Sequence, residues 1–278
     1  MASYRYHAVD VFTAKPLKGN ALAVVHGAAN LSAAAMQAFA NWTALSETTF
    51  LLPPTDAAAD YRVRIFTPDR ELPFAGHPTL GSCHAWLAAG GKPRARDQIV
   101  QQCAVGLVRL RRDGARLAFA APPLLRSGPA DAATVAAIAR SLRIGRDVIR
   151  AAQWVSNGPD WVGVLLGSHA ELLALKPDFA ALEPRDIGVV APLSAGGEAR
   201  FEMRAFIGGS PPNEDPVTGS LQAGLAQWLI GSGVAPVRYV AIQGTALGRD
   251  GRVYVEKRAN DIWIGGDSVT LVEGTVEL

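Results

Sequence analysis

The chain writes one short stretch twice. Residues 71–78 read Glu-Leu-Pro-Phe-Ala-Gly-His-Pro, and residues 214–220 read Glu-Asp-Pro-Val-Thr-Gly-Ser, 143 positions later. Both follow the order Glu, any residue, Pro, any residue, small residue, Gly, polar residue. Gly81 and Gly224 keep the same offset. Beyond them Trp86-Leu87 answers to Trp228-Leu229 and Gly91 to Gly233, with one residue dropped from the second copy. Upstream, Arg64-Ile65-Phe66 answers to Arg204-Ala205-Phe206, with three extra residues in the second copy. Five matching residues would be noise. A run of about thirty positions with two small length changes predicts two halves of similar fold.

Periodicity predicts the same order of elements in each half. In the first, strands are expected over 4–12, 21–26, 46–52 and 61–67, with an Ala-rich helix over 31–43. The first motif then leads into a helix over 79–89, ended by Gly90-Gly91. Residues 98–111 and 116–120 read as a hairpin around Asp113-Gly114. Residues 121–129 are the expected linker, followed by a helix over 130–141. In the second half, strands are expected over 154–159, 161–166, 187–192 and 199–207, with helical pieces at 168–175 and 179–182 broken by Lys176-Pro177. The second motif and a helix over 220–230 follow. Strands over 238–243, 252–258 and 262–266 close the half, with 268–278 as a last hairpin partner. Each half reads β, β, α, β, β, motif, α, β, β. That order predicts an α+β or mixed α/β fold, each half a helix captured by a curved sheet, and not a doubly wound sheet with its nucleotide loop. The expected domains are 1–121, completed by the last strand at about 269–278, and 122–268.

Composition narrows the function classes. An apolar fraction of 49% with 19% charged residues is that of a soluble globular chain of 278 residues. A net charge of +2 with scattered Lys and Arg makes no case for nucleic acid. Cys83 and Cys103 form no disulfide framework and no metal-ligand spacing. The alternating start, residues 3–12, lacks the layout of a signal peptide. No uncharged apolar run reaches the ~18 residues of a membrane span. A cytoplasmic protein with no membrane partner is expected. Neither a zinc cluster, a nucleotide loop, a Ser-His-Asp order nor a covalent Lys motif stands out, so no cofactor is expected.

The repeated motif places Gly76 and Gly219 at or just before a helix start. Such a start presents unpaired N–H groups and partial positive charge, which suit a carboxylate or an oxyanion. Glycine there lets backbone approach a ligand closely. Turn and cap duty for Gly-His-Pro and Gly-Ser is the competing reading. Around these starts, His77 can exchange a proton near neutral pH, and Asp215, Glu214 and Glu71 supply carboxylates. Glu47 heads the apolar run 48–52, where partial desolvation would raise its pKa toward the range useful for proton abstraction. A solvent-facing charge at the strand start is the alternative for Glu47. Cys83 reads as a small core residue.

On these residues the chain resembles the PhzF family, named for the phenazine-biosynthesis isomerase, within the diaminopimelate-epimerase-like fold. The matching segments are Asp10-Val11-Phe12 with Gly19-Asn20; residues 45–50; Ile65-Phe66-Thr67-Pro68 with 71–81; Asn157-Gly158-Pro159; residues 214–220; and Gln243-Gly244 with Leu247-Gly248-Arg249. The resemblance implies two similar domains, each a curved, mostly antiparallel sheet wrapped around a central helix, with the active site in the cleft between them. It implies a homodimer as well. The family's acid/base glutamate falls on Glu47, and supporting residues fall on His77, Asp215 and Ser220. Gly76 and Gly219 fall on backbone positions near the substrate carboxylate. Thiol-using relatives carry cysteines where this chain has Ala75 and Thr218, which favours a one-base proton shuttle. One departure bears on the substrate: many relatives follow the second motif with Ser-Ala-His or Ser-Ala-Asn, whereas Leu221-Gln222 follow Ser220 here.

The expected function is a cofactor-independent isomerase that moves a proton on a small carboxylate-bearing metabolite. The alternatives are an amino- or hydroxy-acid epimerase or racemase, and a non-catalytic metabolite-binding protein of the same fold.

Overall fold

The computed structural model describes residues 1–182, 185–209 and 213–278. It divides into two compact units, residues 1–120 with 265–278, and residues 121–264. In chain order the first unit holds β1 (Ser3–Val11), β2 (Asn20–Val25), α1 (Ala33–Thr43), β3 (Glu47–Leu52), β4 (Tyr61–Phe66) and β5 (Glu71–Leu72). It continues with α2 (Gly76–Ala88), β6 (Ile99–Cys103), β7 (Gly106–Asp113) and β8 (Arg116–Ala120). The second unit opens with β9 (Arg126–Pro129), α3 (Ala132–Leu142), β10 (Ile149–Ser156), β11 (Trp161–Leu166), α4 (His169–Ala174) and β12 (Asp186–Pro192). Then come β13 (Phe201–Phe206), β14 (Glu214–Asp215), α5 (Gly219–Gly231), β15 (Arg238–Gln243), β16 (Gly251–Arg258) and β17 (Asp261–Gly266). The last strand, β18 (Ser268–Glu277), pairs antiparallel with β1.

Parallel and antiparallel pairs mix in the strands of both units, which follow one wiring. β1 and β2 are antiparallel, β2 runs parallel to β3, β3 antiparallel to β4, and β4 parallel to β6. In the second unit β10, β11, β12, β13 and β15 repeat that series of directions. β9 lies antiparallel to β10 as β18 does to β1. The stretch expected as a linker, residues 121–129, therefore ends in a strand. Its Pro122-Pro123 reads as a break, but Arg126–Pro129 finds a free edge on β10 and pairs there. The expected hairpin 98–120 is three strands, because Gly106, at φ +103°, turns the chain after Cys103. Residues 179–182 form a turn, with the Asp178 carboxylate accepting from Ala181 N, and not a helical piece.

Helices α2 and α5 have hardly any polar face: ten of the thirteen residues of α5 are buried, which identifies a helix packed on more than one side. α2 packs against β1, β2, β3, β8 and β18, and α5 against β10, β11 and β16. The two glycines at the common offset allow this close approach. A Cβ on Gly81 would stand 2.5 Å from Leu22 Cδ2, and one on Gly224 would stand 2.3 Å from the carbonyl oxygen of Val155. Leu22 can rotate, whereas the Val155 carbonyl belongs to β10. Gly224→Ala is expected to cost about 1–3 kcal/mol in urea unfolding, the usual range for overpacking. Gly231→Ala in the same helix, where an added Cβ meets nothing, should be neutral or slightly stabilising. Equal effects of the two substitutions would refute the close-packing account.

The repeat is more regular than its tryptophans suggest. α2 and α5 are both thirteen residues long, with C-caps at Ala89 and Ser232 and left-handed glycines at Gly90 and Gly233. The offset of 143 thus holds to the helix ends, and no residue is dropped. Gly233 corresponds to Gly90, not Gly91, and Trp86 and Trp228 occupy different helical positions. Trp86 stacks on Tyr61 with ring centroids 5.1 Å apart, and Gly91 leaves it room, since a Cβ there would meet the ring at 2.3 Å. Trp228 instead lies over Gly163. The three extra residues fall in the 207–213 segment, of which 210–212 lie outside the described residues.

Outside these helices the units bury separate apolar clusters. In the first, Met36, Phe39 and Ala40 of α1 meet Val25, Phe50 and Phe66 of the sheet. In the second, α3 and α4 supply Ile138, Leu142 and Leu172 against Val162, Val164, Val189 and Phe206. No helix among the described residues is long and apolar enough to cross a membrane.

Candidate active site

In the first unit the site starts at the end of β1. Buried Asp10 accepts hydrogen bonds from Lys18 N at 2.9 Å and Gly19 N at 3.0 Å, which closes the loop between β1 and β2. Gly19 is required there, because a Cβ would sit 2.1 Å from the Val11 carbonyl oxygen. The loop delivers Asn20 to the head of β2, with its Nδ2 3.3 Å from His77 Nδ1. β3 runs parallel to β2 with Glu47 beside Leu22, so Glu47 opens its strand next to the same spot. His77 comes from the first turn of α2, and its Nε2 lies 3.5 Å from Glu47 Oε2.

That distance is a contact and not a hydrogen bond, and the electrostatics say why it is no ion pair. Burial pushes the His77 imidazole down to about 3, with a backbone hydrogen bond to Ala21 pulling weakly the other way. The ring is neutral, and its Nε2 has no hydrogen-bond partner among the described residues. The Glu47 side chain is 14% exposed, which leaves it shielded from bulk water but reachable. Ala75, the N-cap of α2, supplies no side-chain cap, and Pro78 has no N–H to satisfy. The helix start at Gly76 and His77 therefore offers amides to whatever stands beyond it.

The second unit builds a different arrangement on the same frame. Thr218 is the N-cap of α5 but does not cap it. Its hydroxyl donates to Asp215 Oδ2 at 2.6 Å, and its amide donates to Gln243 Oε1 at 3.1 Å. Gln243 Nε2 in turn donates to Thr218 Oγ1 and to the Asp215 carbonyl. Buried Ser220 accepts from the Trp161 indole N–H at 3.2 Å. Because an indole nitrogen only donates, the Ser220 hydroxyl keeps its proton for another acceptor. Asn157 Nδ2 donates to the Ser220 carbonyl at 2.9 Å. In each unit, then, an Asn from the first hairpin reaches the residue after the helix-start glycine.

Residues 9–274 match the family model described as phenazine biosynthesis-like protein. The chain belongs to the PhzC-PhzF family. Antisense-enhancing sequence 1 of Schizosaccharomyces pombe is 34% identical, with 99% of each chain covered. The trans-2,3-dihydro-3-hydroxyanthranilate isomerase of Pseudomonas aeruginosa is 33% identical, covering 99% of this chain and all of that one. The crystal structure of a PhzF-family protein from Bacillus anthracis superposes with a TM-score of 0.86 at 22% identity over the full length of both chains, a likeness of fold. By family, this PhzC-PhzF protein is an enzyme of the isomerase class.

Glu47, His77 and Gly76 come together in one place, and Asp215, Gly219 and Ser220 in another, each around an uncapped helix start. Glu71 and Glu214 do not join them. Arg64 holds Glu71 through two hydrogen bonds of 2.7 Å, and Arg204 holds Glu214 through two of 2.8 Å. The same guanidinium groups lie over Phe66 and Phe206. These forks fasten β5 to β4 and β14 to β13, so the glutamates of the PhzC-PhzF motif anchor its loop. Cys83 is fully buried, and burial pushes its thiol up to about 12, which makes it inert.

Three residues of the arrangement carry no role in the sequence reading: Asn20, Asn157 and Gln243. All three sit in segments that matched the family. Their amides hold the His77 ring, the Ser220 carbonyl and the Thr218 amide, partners 57, 63 and 25 residues away along the chain.

Proposed function

We propose that the protein moves a proton from one carbon to another on a small cyclic carboxylate of the 2,3-dihydro-3-hydroxyanthranilate class, with Glu47 as the single acid/base. The observation that carries this reading is the contact of Glu47 with a buried, neutral His77 at the uncapped start of α2. The Glu47 carboxylate takes a proton from a C–H. The electron pair of that bond moves into the conjugated system, and the carboxylic acid returns the proton to a different carbon. Nothing is gained or lost, so the step needs no co-reactant. Neutral His77, beside Asn20, places no positive charge next to Glu47, so the carboxyl group can take up and return a proton without a cation holding it ionised. The amides at Gly76 and Gly219 suit the substrate carboxylate and the charge that develops on it. Asp215 and Ser220 complete the proposed set, with Ser220 donating its hydroxyl proton.

Support for the substrate class comes from the isomerase of Pseudomonas aeruginosa, alike over the whole of both chains. Ala75 and Thr218 at the helix starts speak against a two-thiol racemase. Incubation with trans-2,3-dihydro-3-hydroxyanthranilate in heavy water tests the reading. The expected product is a constitutional isomer, with deuterium at the newly protonated carbon wherever solvent exchanges with Glu47. An unchanged substrate, or inversion at the original carbon without a shift of the double bonds, would overturn it.

A further inference from the structure

Gln222 holds a buried oxygen whose orientation follows from its neighbours. The Thr218 amide can only donate, so the Gln243 side-chain atom that meets it at 3.1 Å is Oε1. The Gln222 atom 3.0 Å from that same oxygen must then be a donor, which is Nε2. Gln243 Nε2 is occupied on the other side by Thr218 Oγ1 and the Asp215 carbonyl, which confirms the direction of the chain. Gln222 Oε1 is left as an acceptor. The residue is fully buried, and this oxygen has no hydrogen-bond partner among the described residues.

A buried acceptor without a partner is costly and needs a reason. Side chains on a helix lean toward its N-terminus, and Gln222 accordingly lies one hydrogen bond from Gln243, which holds the amide of the α5 N-cap. The carboxamide that carries the unpartnered oxygen is therefore tied, through Gln243, to the helix start proposed above to hold the substrate carboxylate. A carbonyl oxygen repels a carboxylate, so its counterpart on the ligand is an N–H or O–H donor.

We infer that Gln222 is a specificity-determining residue that accepts a hydrogen bond from an amino or hydroxyl group on the carbon next to the one bearing the substrate carboxylate. The inference rests on the reading that the start of α5 belongs to the substrate site. It restricts the substrate to 2-amino- or 2-hydroxy-substituted carboxylates. It also gives a physical use to Leu221-Gln222, the dipeptide by which this chain departs from many of the sequences it resembles.

Binding of two non-reacting probes tests this separately from turnover. Anthranilate carries an N–H donor beside its carboxylate, and 2-methylbenzoate has nearly the same shape without one. Calorimetric titration of the wild-type protein should show anthranilate bound at least about tenfold more tightly. Gln222→Met should bring the two affinities together by weakening anthranilate alone. Gln222→Asn, which withdraws the oxygen by one carbon, should do the same and serves if the Met variant does not fold. Equal weakening of both probes would mark a packing role and overturn the inference, as would an unchanged ratio in the variants or no binding of either probe at millimolar concentration. Should the probes discriminate as expected while the heavy-water experiment shows no proton transfer, the isomerase reading falls and the specificity assignment stands.

Discussion

Glu47→Gln is expected to lower the rate of proton transfer by about 10²–10⁴-fold, the usual contribution of one placed acid/base, and to leave the fold intact. The amide keeps the shape of the side chain and its place at the head of β3 but cannot take up and return a proton. The loss should appear in kcat with KM little changed, because the removed interaction is made only as the proton moves. Stability should change by less than about 1 kcal/mol. His77 beside it is neutral, so the substitution strands no buried cation, the usual source of a large penalty when one partner of a buried pair is removed. Isomerisation rates followed by absorbance, with urea midpoints on the same preparations, check both halves of the prediction. Turnover near that of the wild type would sink the assignment of Glu47.

The repeat was readable because backbone constraints write themselves into residue identity. Gly81 and Gly224 are glycines for a packing reason, and Gly90 and Gly233 for a left-handed φ. Trp86 and Trp228 misled the alignment by one position, since an aromatic residue can fill a gap from more than one turn of a helix. The acidic residues divided in a way their spacing does not reveal. Glu71 and Glu214 look as available as Asp215 until the sheet brings Arg64 and Arg204 beside them. Glu47 and His77 stand thirty residues apart, and the parallel pairing of β2 with β3 together with the packing of α2 on both strands puts them at one spot. The orphan oxygen of Gln222 was beyond any sequence reading. It depends on two linked hydrogen bonds whose direction is set by one backbone amide.

Acidification should unfold this protein earlier than its carboxylates alone would require, because the first unit buries neutral histidines. His77 is held down to about 3 by burial, and His26 to about 4 by burial and by His7, whose Nδ1 lies 2.8 Å from it. His7 and His84 are lowered as well, again mainly by burial, with Glu273 opposing the effect at His7. In the unfolded chain each returns to about 6.5. Below that pH the unfolded state binds protons that the native state refuses, so stability is full above about 6.5 and falls as the pH drops toward the native values. For His77 the loss at pH 5 is on the order of 2 kcal/mol. Urea midpoints measured from pH 7.5 down to 4.5 should therefore decline steadily across that range. Gln at position 77 retains a polar side chain of similar reach but cannot take up a proton. His77→Gln should accordingly flatten the decline by close to one proton, or about 1.4 kcal/mol per pH unit between pH 5.5 and 4.5. A variant with the slope of the wild type would show that His77 is protonated in the native protein, and with that the neutral partner proposed for Glu47 would be lost.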